Sequence, residues 1–93
     1  MFCLFLLTLL PAQAGSSPRP ALFDQVCVAC HAIGGAGGQV GPALDGVATR
    51  RTAADLDAWL KDPQGYKPGT IMPKVDMSDA QRAELVKWLG SLK

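Results

Sequence analysis

Histidine is nearly absent from this sequence. His31 is the single imidazole in 93 residues, and three cysteines join it: Cys3, Cys27 and Cys30. Cys3 falls in an N-terminal apolar segment considered below. The rest of the chain therefore holds three Cys and His residues, one fewer than the four ligands of a structural zinc site. Cys27 and Cys30 are three positions apart and cannot close a large loop, so if they stabilise the fold they do so by holding something else. Charge of one sign is also scarce. The formal net charge is +1, and no arginine-rich run is present, which excludes a strongly basic nucleic-acid binder. No stretch alternates apolar and polar residues in strand fashion, and no internal repeat is found. The glycine-rich run Gly34-Gly35-Ala36-Gly37-Gly38 lacks a following Gly-Lys-Ser/Thr, which argues against a phosphate loop.

What is present fits one small domain. Hydrophobic residues make up 48% of the chain, too many for a disordered tail. Phe2 to Leu10 is apolar except for Thr8, Pro11 ends the run, and Ala12-Gln13-Ala14 gives a small-x-small pattern. The run is much shorter than the roughly 20 apolar residues that span a bilayer and fits a secretory h-region, although no Lys or Arg precedes it. Residues 1–14 are expected to be a signal peptide cleaved after Ala14, with an uncleaved anchor as the alternative. Residues 15–20 are expected to be a flexible leader and residues 21–93 the domain. The exported product is placed in the periplasm, without stable membrane insertion.

From Ala21 to His31, Leu22, Phe23, Val26, Cys27 and Cys30 recur at helical spacing. The glycine run then ends that helix. Thr52-Ala53-Ala54-Asp55 resembles a capping box opening a helix through Leu56, Trp59 and Leu60, with Pro63 blocking its continuation. Gln64 to Val75 reads as an irregular loop. Ser78-Asp79-Ala80-Gln81 is a second capping-box pattern, and the helix it opens carries Leu85, Trp88, Leu89 and Leu92 on one face. The expected class is all-α, short helices joined by long loops. Loops of that length in so small a domain suggest that a ligand organises them.

Cys27-Val28-Ala29-Cys30-His31 is C-x-x-C-H, the attachment signature of c-type heme. On a helical turn Cys27 and Cys30 share a face, so their sulfurs can reach the two vinyl groups of one porphyrin, and His31 can turn its imidazole under the ring to bind the iron. A C-x-x-C redox motif would belong in a βαβ context, and no strands are expected here. Methionine is the natural soft ligand for the second axial position. Met72, in Lys67-Pro68-Gly69-Thr70-Ile71-Met72-Pro73, lies in a loop stiffened by prolines on both sides. Met77 immediately precedes the Ser78 cap and is expected to pack beside the last helix.

These motifs make Ala21 to Lys93 resemble the class I c-type cytochromes. Cys27-x-x-Cys30-His31 matches the family's attachment motif, Gly41-Pro42-Ala43-Leu44 looks like its G-P-x-L segment, and Pro68-Gly69-Thr70-Ile71-Met72-Pro73 is similar to its axial-methionine region. The resemblance implies a cytochrome c-like all-α fold around one covalently attached heme c, with iron ligands His31 and Met72. It makes the Pro42 carbonyl the acceptor for His31 Nδ1–H and places Thr70 and Trp59 at the cofactor. Trp59 stands where some relatives have a tyrosine facing the heme, and could donate its indole N–H to a propionate or pack on the ring. Phe23, Leu85 and Trp88 look like the contact between terminal helices. The stretch from Leu44 to Thr52 is shorter than in mitochondrial-type members.

With both axial positions filled no site is left for a substrate. The expected role is a monomeric one-electron carrier in a periplasmic respiratory chain, not an enzyme, with redox proteins as partners. The alternative is a heme-bearing electron-transfer subunit of a dehydrogenase or oxidase complex. Lys67 and Lys74, flanking Met72, are candidates for docking an acidic partner.

Overall fold

The computed structural model describes residues 18–93. The expected signal peptide and the first part of the expected leader, residues 15–17, lie outside the described residues. The architecture is the expected one, mostly helical with short helices, plus one very small hairpin.

Helix α1 spans Ala21–Gln25. The helical spacing read from Ala21 to His31 does not give one continuous helix. The backbone departs at Val26 (φ −128°, ψ −50°) and tightens into a 3-10 turn, Cys27–Ala29. Side chains three apart nearly eclipse in a 3-10 turn, so the break brings Cys27 and Cys30 to one side more directly than an α-helix does. The glycine run, expected to be irregular, folds in part into a hairpin. Strand β1 (Ala32–Ile33) pairs antiparallel with β2 (Ala36–Gly37), Ala32 opposite Gly37 and Ile33 opposite Ala36. Gly34 and Gly35 have φ of 60° and 82°. Positive φ at both central residues is what a two-residue type I′ turn requires, and glycine adopts it without Cβ strain. The chain after the hairpin is tied back by backbone hydrogen bonds: Gly38 N–H to Val28 C=O at 2.8 Å, Gly41 to Cys30 at 2.7 Å and Leu44 to Ala32 at 2.9 Å.

A second 3-10 turn, Val47–Thr49, buries Val47. Helix α2 (Ala53–Lys61) then starts at Thr52, whose Oγ1 accepts from Asp55 N–H at 3.1 Å while Asp55 Oδ2 accepts from Thr52 N–H at 3.1 Å. It buries Leu56 and Leu60, one turn apart. Pro63 ends this helix as expected, because the residue before a proline is driven out of the α region. It also opens a new one. The single turn α3 (Pro63–Tyr66) has Pro63 in its first turn and Asp62 as cap, the carboxylate accepting from Gly65 N–H at 3.1 Å. A proline at that position forfeits no helical hydrogen bond.

Helix α4 (Asp79–Leu89) begins at Ser78 with a second capping box, closed by Gln81. Arg82 on α4 reaches across to Asp57 on α2 at 2.8 Å and along its own helix to Asp79 at 3.1 Å. Both carboxylates raise the Arg82 pKa, Asp57 foremost.

Helices α1, α2 and α4 meet in a core of Phe23, Val47, Leu56, Leu60, Leu85, Trp88 and Leu89. Phe23 and Leu85 are each 1% exposed. Such side chains each contribute about 1.5–3 kcal/mol by leaving water. The Phe23 and Trp88 rings meet edge to face at 4.8 Å, joining the first helix to the last. Arg19, in the expected leader, stacks on Phe23 at 4.8 Å and pairs with Asp24 at 2.7 Å. Among the described residues no helix is long and apolar enough to cross a membrane.

Candidate heme site

The core opens on one side into a cleft of about 460 Å³, within the range of small-molecule and cofactor sites. Cys27, Cys30 and His31 line it, as do Gly41, Pro42, Trp59, Thr70 and Met72. All seven site residues expected from the sequence are thus brought to one cavity from three segments: the 3-10 turn with the chain that follows it, helix α2, and the loop between α3 and α4.

Cys27 and Cys30 are half-buried free thiols. Burial pushes the Cys27 thiol above its ordinary pKa, with the neighbouring Cys30 as a second cause, so it stands as a thiol at neutral pH. His31 Nδ1 lies 2.7 Å from the carbonyl oxygen of Pro42. A carbonyl can only accept, so Nδ1 carries a proton, and in the neutral imidazole Nε2 is then the nitrogen with the lone pair. Gly41 lets the chain pass that close. A Cβ there would stand 2.5 Å from His31 Cε1 and 2.9 Å from Nδ1, well inside van der Waals contact.

Met72 and Met77 are both half-buried and pack against the hydrophobic core, but of the two Met72 lines the cleft. The Met72 loop is held by side chains. Met72 N–H donates to Thr70 Oγ1 at 3.2 Å, and Gln64 Nε2 donates to the Thr70 carbonyl. Trp59 Nε1–H donates to Met72 Sδ at 3.1 Å. The Trp59 ring lies 4.9 Å from that of Tyr66, and Tyr66 Oη donates to Asp55 Oδ1 at 3.1 Å. This carboxylate is held below its usual pKa, first by the Thr52 backbone N–H, then by the Thr52 side chain and Tyr66. The same hydrogen bond raises the Tyr66 phenol.

Two further residues at the cleft were not singled out from the sequence. Arg50 and Arg51 both line it. Arg50 is braced by the carbonyls of Asp45 (3.1 Å) and Ala43 (3.3 Å), and the Arg51 guanidinium stands 5.6 Å from the centre of the Trp59 ring. Their one signal in the sequence is a pair of adjacent cations directly before the Thr52 cap.

The donor set suits a heme. Two thiols sit beside an imidazole whose Nε2 is free, a thioether faces the same cavity, and two guanidinium groups supply positive charge suited to a pair of propionates. Val40 and Ile71 also border the cleft, and they are 64% and 76% exposed, apolar surface that a flat hydrophobic ligand would cover.

Comparison with known proteins agrees with this geometry. The family described as Cytochrome c matches residues 20–93. Cytochrome c oxidase subunit 2 of Alkalihalophilus pseudofirmus is 37% identical to the chain over 84 residues, covering 81% of this chain and 25% of the relative. The chain therefore spans about a quarter of the length of that relative. With the profile match running through the attachment turn, the cleft and the last helix, the chain belongs to the cytochrome c family.

Proposed function

We propose that this chain carries one covalently attached heme c and passes single electrons between redox proteins. One observation carries the reading: His31 of C-x-x-C-H is locked by the Pro42 carbonyl in the tautomer that leaves Nε2 as a ligand, in a cleft that also holds the Met72 thioether. The heme supplies an iron that alternates between two oxidation states.

The protein's part is to bind, orient and exclude water. Cys27 and Cys30 would hold the heme covalently, through thioether links to its two vinyl groups. His31 and Met72 would supply the two protein ligands of its iron. With both supplied by the protein, no iron position would be left for a substrate, and for that reason we assign a carrier and not an enzyme. Imidazole with thioether raises the reduction potential relative to harder ligands. Arg50 and Arg51 would offset propionate charge at the cleft, and Trp59 and Thr70 line its wall. Lys67 and Lys74, both exposed, are placed to attract an acidic partner, which would make the association rate fall with salt.

Export to the periplasm completes this reading and rests on the N-terminal apolar run. A second reading, an electron-transfer subunit or domain of an oxidase, is favoured by the relative's own name. Optical spectra of the oxidised and reduced protein, with heme staining after denaturation, test the assignment. Heme that stays with the denatured chain supports it, and a colourless folded protein refutes it. Purification from native membranes and soluble extract separates the two roles: a carrier elutes alone, a subunit with its complex.

A further inference from the structure

Arg19 covers the junction between the first and last helices from outside. Its guanidinium stands 4.8 Å from the centre of the Phe23 ring and 5.6 Å from that of Trp88, and its Nη2 pairs with Asp24 Oδ1 at 2.7 Å. We propose that Pro18-Arg19-Pro20 is a strap latched over this junction, so that the chain preceding residue 18 is mounted on the core and not hinged to it. Over these three residues the strap replaces the flexible leader expected from the sequence. The inference stands apart from the redox reading above.

The segment is prepared for that task by its own residues. Proline fixes φ at positions 18 and 20, and Arg19, lying before a proline, is kept out of the α region. Pro20 has φ −67° and ψ 140°, an extended, polyproline-like backbone. Its carbonyl accepts from Phe23 N–H at 3.1 Å, which joins the strap to the first turn of α1. A segment with so few accessible conformations loses little entropy when it closes.

The two rings under the latch belong to different helices, Phe23 to α1 and Trp88 to α4, and they meet edge to face. One cation near both rings therefore holds the strap to both helices at once. Phe23 is 1% exposed and also lines the cleft, so the latch, the ring and the cavity form one line of contacts. A guanidinium within about 6 Å of a ring centre is attracted to it. The Arg19–Asp24 pair is exposed and adds less, because solvent screens it. Together these contacts favour the closed strap by roughly tenfold. Glu84 and Lys87 of α4 border a groove with Pro18, Arg19 and Pro20, one charge of each sign. A hinge at these residues would let the domain turn freely on its leader, whereas a latched strap presents the cleft in one orientation to whatever the leader joins.

The test is nuclear magnetic relaxation on isotope-labelled, reduced holoprotein. Neither proline has an N–H, so Arg19 reports the strap through its backbone amide and its Nε–H. In the wild type the Arg19 amide is expected to be as rigid on the nanosecond scale as the amides of α4. Arg19→Gln removes the cation. Its position 19 should gain the mobility of a free chain end, and the Phe23 and Val26 amides, bonded to the Pro20 and Leu22 carbonyls, should exchange about tenfold faster, with α2 unchanged. Asp24→Asn, which loses the ion pair alone, should give about a threefold change. Arg19→Lys keeps the cation and should restore part of the rigidity. A wild-type Arg19 amide as mobile as a free tail overturns the inference, as does wild-type rigidity in Arg19→Gln. Failure of Arg19→Lys to restore any rigidity overturns it too, since charge would then not be the latch. The wild-type measurement decides the strap even where a variant does not fold. A folded chain without heme refutes the redox role, and the same Arg19 signals still decide the strap.

Discussion

The two sides of the cleft are built by different means. On one side, Cys27 to Leu44 contains a 3-10 turn, a hairpin with two residues per strand, and a loop, and it contributes no fully buried side chain. Its order comes from backbone hydrogen bonds returning to the attachment turn and from His31 against Pro42. On the other side, α2 and α4 each carry a capping box and together bury Leu56, Leu60, Leu85, Trp88 and Leu89. The helical side has its own local encoding and its own core. The attachment side has little apolar burial to offset its conformational entropy, so it depends on what fills the cleft.

The largest test of that contrast removes the covalent link. Cys27→Ser with Cys30→Ser should abolish heme retention on denaturing gels. Amide hydrogen exchange should speed up most across Cys27–Leu44 and least in α4. Equal loss of protection in both regions would show that the contrast is false. Next comes the junction. Phe23→Ala removes the ring that joins α1 to Trp88 and should cost about 3–5 kcal/mol in denaturant unfolding. A loss under 1 kcal/mol would mean that the terminal helices are held together some other way. Gly41→Ala acts on the attachment side alone. Its Cβ must displace the His31 ring or the chain, at about 1–3 kcal/mol, and should lower the yield of covalently loaded protein. Wild-type yield would place the tolerance of that loop well above what the contact distances allow.

The smallest effect separates the two helices of the capped side. The α4 box closes with Gln81 and the α2 box with Asp55. Because the folded pKa of Asp55 is depressed, its contribution is complete above the ordinary carboxylate range of roughly 4 and is lost as pH falls through the folded value. Ser78→Ala should cost about 1 kcal/mol at pH 7 and at pH 3 alike. Asp55→Asn should destabilise at pH 7 and far less at pH 3. Melting curves at the two pH values check this, and an Asp55→Asn penalty independent of pH would contradict it.

The capped helices were legible because their signals lie within four residues. Thr52 with Asp55 and Ser78 with Gln81 pair a side chain with a backbone N–H one turn away, and the 3.6-residue stripe names the buried face. C-x-x-C-H was legible for the same reason, since its chemistry is fixed by adjacent positions. The break at Val26 was not, because apolar spacing is nearly the same for an α-helix and for a shorter helix continued by a 3-10 turn. Nor was the hairpin, since two residues per strand leave no alternation to read. Pro63 announced the end of one helix, and only the Asp62 cap bond to Gly65 made it also the start of another.

By itself, then, the order of residues determined the helical class, two caps, the attachment triplet and the choice of candidate ligands. Tertiary structure decided which groups meet across the cleft: Arg50 and Arg51 beside the aromatic wall, and the Trp59 N–H on Met72 sulfur, thirteen residues away. Local hydrogen bonds and periodic burial are short-range and are written into neighbouring positions. A contact between distant segments exists only after the core has set how the elements pack.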